Sequence, residues 1–400
     1  MPSFPPPPTS TIDWSNVGFR VREVNGHIES HYSVKTGKWT PPKFVTDPYI
    51  RIHGMAPTLN YGQHAYEGLK AFRNPSGGVQ VFRPDRNAAR MQHSAEFISI
   101  PPVPIDLFLD AVKAAVSLNA EYVPPHETGA AMYIRPQIHG SSAQLGLSPP
   151  EEYTFCVYVM PTGVYHGTHP AKALILDEFD RAAPNGTGSA KIGGNYAPVL
   201  RWSDRARNEG YGITLHLDSA THSEVDEFST SGFIGAIVDG DDVTLVVPDS
   251  KNVIQSVTAD SVTDLGRSFG WKVEKRPIKY TELPKFTEVM AAGTAAALVP
   301  IRSITRRFDP ASPQSISSAV GKHPRLSTED GIEKVTYIPD SQDDAGPICL
   351  RLLTQLKGIQ LGKVKDDFGW TVAVTREDGT KVTGETNGQQ KNGETIDQLD

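Results

Sequence analysis

The sequence predicts an α/β chain of the α+β kind in two domains, a small one over 18–161 and a larger one over 173–375. Its 400 residues exceed one ordinary core and suit two. Strand-like and helix-like patterns alternate along the chain, which argues for mixed layers. Pro161, Gly163, Gly167 and Pro170 crowd into one short stretch, so 162–172 is the expected interdomain connection.

In the first half, Val79-Gln80-Val81-Phe82 alternates like a strand, and Asp85 reads as the N-cap of a helix running through Arg90 and Met91. Ile105 to Ala120 repeats apolar residues at helical spacing, and Ala130–Ile138 and Tyr153–Met160 read as strands. The second half opens on a strand at Ala173–Leu176, then a Gly-rich loop at Asn185–Gly194 and a helix over Pro198–Arg207. Strands are expected at Ile213–Leu217, Phe233–Val238, Val243–Val247 and Trp271–Arg276, and helices at Ala259–Phe269 and Ala345–Leu361. Residues 308–333 read as a polar insertion. The Pro-rich start, 1–17, and the polar end, 376–400, read as loose tails.

A net charge of −7 and a pI near 6.0, with no basic stripe, argue against a nucleic-acid partner. The two cysteines, Cys156 and Cys349, sit in apolar stretches away from metal-ligand spacing and read as buried thiols. No apolar run reaches membrane-spanning length. MPSFPPPPTS lacks both the regions of a signal peptide and the Arg-rich pattern of a transit peptide, so a cytoplasmic location is expected.

Several catalytic signatures fail. Gly266-Arg267-Ser268-Phe269-Gly270 has the letters of a nucleophile elbow, but a helix precedes it and a strand follows, the reverse of what that motif needs; both glycines read as helix stops. Gly186-Thr187-Gly188 lacks the rest of a dinucleotide fingerprint, and no Gly-Lys pair precedes Ser or Thr.

Four segments fit one chemistry. Lys191 lies in Asn185-Gly-Thr-Gly-Ser-Ala-Lys-Ile-Gly-Gly-Asn-Tyr196, where glycines let backbone approach a ligand. A lone loop lysine is usually a solvated charge, but a partly desolvated one becomes an imine-forming nucleophile. Ser223 to Phe233 sets three acids before three hydroxyl residues and a strand; it is either a solvated turn or a site where one carboxylate faces inward. Gln255 to Asp260 opens a helix, either as an ordinary Ser/Thr cap or as a phosphate site. Ala291 to Ala296 is a small-residue turn that either packs tightly or presents N–H groups to an anion.

These segments, in this order, resemble the branched-chain amino-acid aminotransferases of fold type IV. Leu59 to Arg73, Phe82-Arg83-Pro84 through Arg90-Met91, Tyr133-Ile134-Arg135-Pro136 and Phe368 to Val372 resemble the same family, from about Gly18 to Val374. The resemblance implies a pyridoxal 5′-phosphate enzyme with a small α/β domain and a larger mixed-sheet, barrel-like domain, working as a homodimer. It places the Schiff-base lysine and proton shuttle at Lys191, the partner of the cofactor's phenolate oxygen at Tyr196, and the partner of its ring nitrogen at Glu227, assisted by Thr230. A protonated ring nitrogen makes that cofactor an electron sink. Phosphate binding falls to Arg90, Val257, Thr258 and Thr294, and the substrate pocket to Tyr61, Tyr66, Tyr133 and Arg135, with the Thr294-Ala295 backbone for the α-carboxylate. A buried strand arginine such as Arg135 is otherwise most often an ion-pair partner.

The implied reaction moves the amino group of a branched-chain L-amino acid to 2-oxoglutarate, leaving a 2-oxo acid and glutamate. The pattern departs from the family at Gly232, where asparagine is usual, and at Ser256, where glycine commonly precedes the phosphate turn. Those departures bear on substrate range and leave a specialised biosynthetic role open. Rival readings are an R-selective amine or D-amino-acid transaminase, an aminodeoxychorismate lyase, or a cofactor-binding protein without turnover.

Overall fold

The computed structural model describes residues 3–164, 169–307 and 315–384. It divides into two compact units: 1–165 with 190–193 and 358–400, and 166–189 with 194–357.

The first unit is built on an antiparallel sheet. Its strands run in the order Thr371–Val374, Val79–Phe82, Leu69–Arg73, Ala131–Gly140, Glu152–Thr162, His27–Ser33 and Lys38–Trp39, with Lys43–Val45 and His64–Tyr66 pairing off this path. Strand alternation gives the sheet two chemically different faces. One carries Ile28, Phe155, Val157, Ile134 and Ile138, which pack with Met91, Ala95, Phe108 and Val112 of the helices Pro84–Phe97 and Ile105–Ser117 in one buried cluster. The other carries His31, Thr154, His139 and His64 in one cross-strand row and Glu29, Cys156, Gln137 and Tyr66 in the next.

The helix at 84 begins one residue before the expected cap. Pro84 is its first residue, since a fixed φ and a missing N–H suit that position, and Asp85 sits in its first turn. The Pro-rich start is not loose where it is described. Thr9 N–H donates to the Glu121 carbonyl, Arg73 donates to the Pro6 carbonyl, and Phe4 packs on the core. At the other end, Asp378 is buried and accepts from Lys113 Nζ at 2.8 Å, and Phe44 N–H donates to the Thr383 carbonyl at 2.9 Å, so the chain is tied down through 383. Composition misses both because a few anchors outweigh many polar neighbours. The tail from 385 onward lies outside the described residues, as do 165–168 of the expected connection.

The second unit holds a mixed sheet in the order Val225–Phe228, Ile213–Leu217, Ala171–Ile175, Ala297–Arg307, Glu288–Gly293, Gly232–Asp239, Asp242–Pro248 and Lys272–Arg276. Ala171–Ile175 runs parallel to Ile213–Leu217 with helix Leu200–Asn208 in the crossover, and Asp242–Pro248 runs parallel to Lys272–Arg276 across helix Val257–Ser268. Gly266 does not stop that last helix. It lies inside it, where an added Cβ would come within 2.6 Å of Leu245, whereas Gly270 does end it, at φ +80°. Of the polar insertion, 308–314 lie outside the described residues; the rest forms helix Ile316–Val320 and the hairpin Leu326–Glu329/Ile332–Thr336.

Both cysteines are buried, and burial pushes Cys156 well above the ordinary thiol range and Cys349 up to about 12. Among the described residues no helix is long and apolar enough to cross a membrane, and no group of His, Cys, Asp and Glu is arranged to hold a metal.

Candidate active site

The predicted residues fall into two sets, one in each unit. In the first unit, residues 190–193 fold against the sheet: Ile192 bridges Ala65, and Tyr66 N–H donates to the Lys191 carbonyl at 3.1 Å. Lys191 Nζ stands 4.6 Å from the centroid of the Tyr66 ring. The Arg135 guanidinium covers the same ring at 4.8 Å and the Tyr133 ring at 4.9 Å, and donates to the Tyr133 hydroxyl at 3.0 Å. Strand parity puts Tyr66, Tyr133 and Arg135 on the polar face, with Gly68 leaving the room; a Cβ there would sit 2.2 Å from the Tyr133 hydroxyl oxygen. Tyr61 is turned to another partner. The residue is 46% exposed and its hydroxyl donates to the Leu145 carbonyl at 2.5 Å.

Arg90 stands on the helix Pro84–Phe97, where Asn87, Arg90 and Ser94 share the buried side at helical spacing. Its Nε and Nη2 donate to the two carboxylate oxygens of Glu67 at 2.6 and 2.7 Å. Glu67 is fully buried and also accepts from Asn87 Nδ2 at 2.7 Å and from Gly68 N–H at 3.1 Å. Burial pushes this carboxyl up, but the charges of Arg90 and Lys191 and the Arg90 and Asn87 hydrogen bonds outweigh it, so Glu67 is held below the usual carboxylate range. Glu67 falls inside the Leu59 to Arg73 segment, where the sequence assigns no role to that position. The legible signal was polar residues at 87, 90 and 94 on a helix face that otherwise buries apolar groups.

In the second unit Glu227 is buried and ion-paired with Arg181 at 2.8 Å. A bulge turns it inward. The register shifts between Leu215↔Phe228 and Leu217↔Val225, so His216 faces both Asp226 and Glu227. Asp226 is buried too, and burial raises its pKa, while Glu224 turns outward to Lys279. Arg181 also donates to the carbonyls of Gly188 and Asn252, tying the Gly-rich loop to the Glu227 strand. Sequence reasoning missed Arg181, which stands four residues before that loop, between Asp180 and Ala182. Thr187 and Asn195 close the loop reciprocally: the Thr187 hydroxyl donates to Asn195 Oδ1 at 2.8 Å and Asn195 Nδ2 to the Thr187 carbonyl at 2.7 Å. Tyr196 follows, partly buried.

Ser256 caps the helix Val257–Ser268, its Oγ accepting Ala259 N–H at 3.2 Å; the helix therefore starts two residues before the expected Ala259. Val257 and Thr258 form the first turn at the positive end of the helix dipole. Thr294 and Ala295 lie in the turn between Glu288–Gly293 and Ala297–Arg307, and Ala297 holds φ +64°, a strained value for a residue with a side chain. Thr230 is exposed beyond the end of Val225–Phe228.

The first unit thus holds an amine over an aromatic ring, and the second holds a buried carboxylate paired with a fixed cation and a helix with a capped N-terminus. Residues 64–304 match the family model for amino-transferase class IV. The chain is 52% identical to the aminotransferase poxL of Penicillium oxalicum over 93% of this chain and 95% of that one. It is 49% identical to the branched-chain amino acid aminotransferase gloG of Glarea lozoyensis over 94% and 99%. The fold matches the branched-chain amino acid aminotransferase of Escherichia coli with a TM-score of 0.67 at 22% identity, covering 88% and 100% of the two chains. With that match over more than half its length, the chain belongs to the class IV aminotransferases and is a transaminase of fold type IV.

Proposed function

We propose that this transaminase uses pyridoxal 5′-phosphate to move the amino group of a branched-chain or similar apolar L-amino acid to 2-oxoglutarate, giving the 2-oxo acid and glutamate. The observation that carries the reading is Lys191 Nζ and the Arg135 guanidinium sharing the Tyr66 ring.

The residues fit the cofactor. Lys191 would hold it covalently, the Arg181-backed Glu227 would face its ring nitrogen with Thr230 assisting, and Tyr196 would donate to its phenolic oxygen. Arg90, Val257, Thr258 and Thr294 would take its phosphate. When bound, this cofactor supplies an electron sink for the charge left at the substrate Cα. Lys191, once its amine is free, is the group to carry the proton between that carbon and the cofactor's C4′.

The aromatic rings of Tyr66 and Tyr133 suit an aliphatic side chain, and Arg135 suits the second carboxylate of glutamate. The turn at Thr294 and Ala295 would receive the α-carboxylate. A homodimer, in which the neighbouring subunit closes the pocket, is part of this reading. So is a specialised biosynthetic substrate, which the departures at Gly232 and Ser256 and the likeness to fungal enzymes support.

A donor panel tests it. The purified protein with 2-oxoglutarate is expected to form glutamate from L-leucine, L-valine or L-isoleucine, with visible absorption that bleaches on adding the donor. Turnover of D-alanine or 1-phenylethylamine without L-leucine would overturn it in favour of an R-selective or D-amino-acid enzyme.

A further inference from the structure

We propose that Ser94 and Glu67 are positioning residues that lock the main chain of Lys191 to the guanidinium of Arg90. The inference rests on the reading that Lys191 carries the cofactor and Arg90 holds its phosphate.

The contacts close into a ring. Lys191 N–H donates to Ser94 Oγ at 2.9 Å, and Ser94 Oγ donates in turn to the Arg90 carbonyl at 2.9 Å. The Arg90 side chain grips Glu67 through two hydrogen bonds, at 2.6 and 2.7 Å. Glu67 follows Tyr66 in the chain, and Tyr66 N–H donates back to the Lys191 carbonyl at 3.1 Å. Both main-chain groups of Lys191 are thus committed, one to the helix that carries Arg90 and one to the strand that carries Tyr66.

The cost of this arrangement argues for a purpose. A serine hydroxyl inside a helix competes with the backbone and is tolerated best where it satisfies itself on a carbonyl four residues back. Ser94 does that, and with no exposure to solvent it also accepts from a loop residue far along the chain. Glu67 is fully buried, and burying a carboxylate is costly unless it is paired and hydrogen-bonded on all sides, as here. Greasy residues would fill both positions more simply. What they could not do is fix the Cα of one cationic residue against the head group of another. An amine that must meet one carbon of a ligand held by its phosphate some distance away depends on that spacing, because small misplacements cost large factors in rate.

The test separates cofactor content from attachment. The full-length protein is reconstituted with pyridoxal 5′-phosphate. Bound cofactor is measured by release in alkali, and attachment is followed by borohydride quenching and peptide mass spectrometry. In Ser94→Ala the content at saturation should stay within about twofold of wild type while attachment to Lys191 slows roughly tenfold, the scale of one lost hydrogen bond and a shifted main chain. Ser94→Thr, which keeps the hydroxyl, should recover most of that rate, and Glu67→Gln should show the same split. Attachment at the wild-type rate in both Ser94→Ala and Glu67→Gln overturns the inference. So does a parallel fall of content, attachment and thermal midpoint, which marks a merely structural role. A wild-type label on any lysine but Lys191 overturns the site reading itself, and the inference with it.

Discussion

Gly232 lies directly against Ser256: a Cβ added at Gly232 would sit 3.3 Å from the Ser256 Cβ and 3.6 Å from its Oγ. These are the two positions where the chain departs from the pattern it resembles, and they depart in opposite senses. The strand gives up a side chain, and the helix cap facing it gains one. Ser256 uses the space to cap the helix and to donate to the Ala292 carbonyl at 3.3 Å.

The pair should therefore couple. Gly232→Asn alone drives a side chain into Ser256 and is expected to cost about 1–3 kcal/mol by overpacking. Ser256→Gly alone trades a good cap for a fair one and should cost only a few tenths of a kcal/mol, roughly. The double variant should be more stable than the sum of the two by about 1 kcal/mol or more, read from urea unfolding of all four proteins. Strict additivity would show that the two departures are unrelated.

Arg181 and Glu227 make a second pair whose partners need each other. Both side chains are nearly solvent-free, at 3% and 5% exposure. Arg181→Met strands a buried carboxylate and should destabilise the protein by about 3–5 kcal/mol, and adding Glu227→Gln should restore much of that loss. Glu227→Gln by itself leaves the Arg181 cation with only the Gly188 and Asn252 carbonyls, so it should cost stability and also lower turnover, because a neutral amide no longer favours a protonated ring nitrogen. Lys191→Ala should abolish turnover and visible cofactor absorption together. Unchanged kinetics in Glu227→Gln, or activity in Lys191→Ala, would remove that residue from its role.

Within the insertion, Glu333 gathers Ser315 Oγ, Ile316 N–H, Ser317 N–H and Ser317 Oγ at 2.7–2.9 Å, and the Tyr280 hydroxyl at 3.1 Å. It is the anchor of helix Ile316–Val320. Glu333→Ala should leave that helix untied and speed tryptic cleavage at Lys322 and Arg325, while Glu333→Gln should do so less. Equal cleavage in all three proteins would assign the anchoring to other contacts.

Local pattern makes the strands and helices legible, and with them the Gly-rich loop around Lys191 and the Ser/Thr cap before Val257. What it leaves open is which of neighbouring groups turns inward. Nothing in the spacing of Glu224, Asp226 and Glu227 says that a bulge opposite His216 buries the last two and frees the first. Glu67 and Arg181 escape for a related reason. Their partners, Arg90 and Glu227, lie on other elements; the polar positions at 87, 90 and 94 show that a buried partner is needed, but an ion pair between distant segments leaves no pattern that says which residue it is. The described parts of the N- and C-terminal segments are misread because Phe4, Thr9 and Asp378 find partners on the folded core that composition cannot foresee.

Acid is expected to destabilise the protein first through two buried histidines and only then through its low-lying carboxylates. Burial, with the Arg181 charge adding to it and a Phe179 backbone contact opposing, pushes His216 down to about 3. Burial and the neighbouring His64 and His31, against Glu29, push His139 down to about 4. In each case the folded pKa lies below the unfolded value near 6.5, so the unfolded chain binds the extra proton. The stabilisation is therefore complete above about pH 6.5 and drains away as the pH falls from there through the folded values. Glu67 and Glu333, also held low, add to the loss only below the ordinary carboxylate range. Between pH 7 and 5 each histidine should cost about 1–2 kcal/mol. His216 packs against Phe179, which stacks on Trp202, so His216→Phe should be accepted by that aromatic neighbourhood. Urea unfolding of this variant should lose less stability between pH 7 and 5 than wild type; an unchanged slope would mean that His216 does not resist protonation in the folded protein.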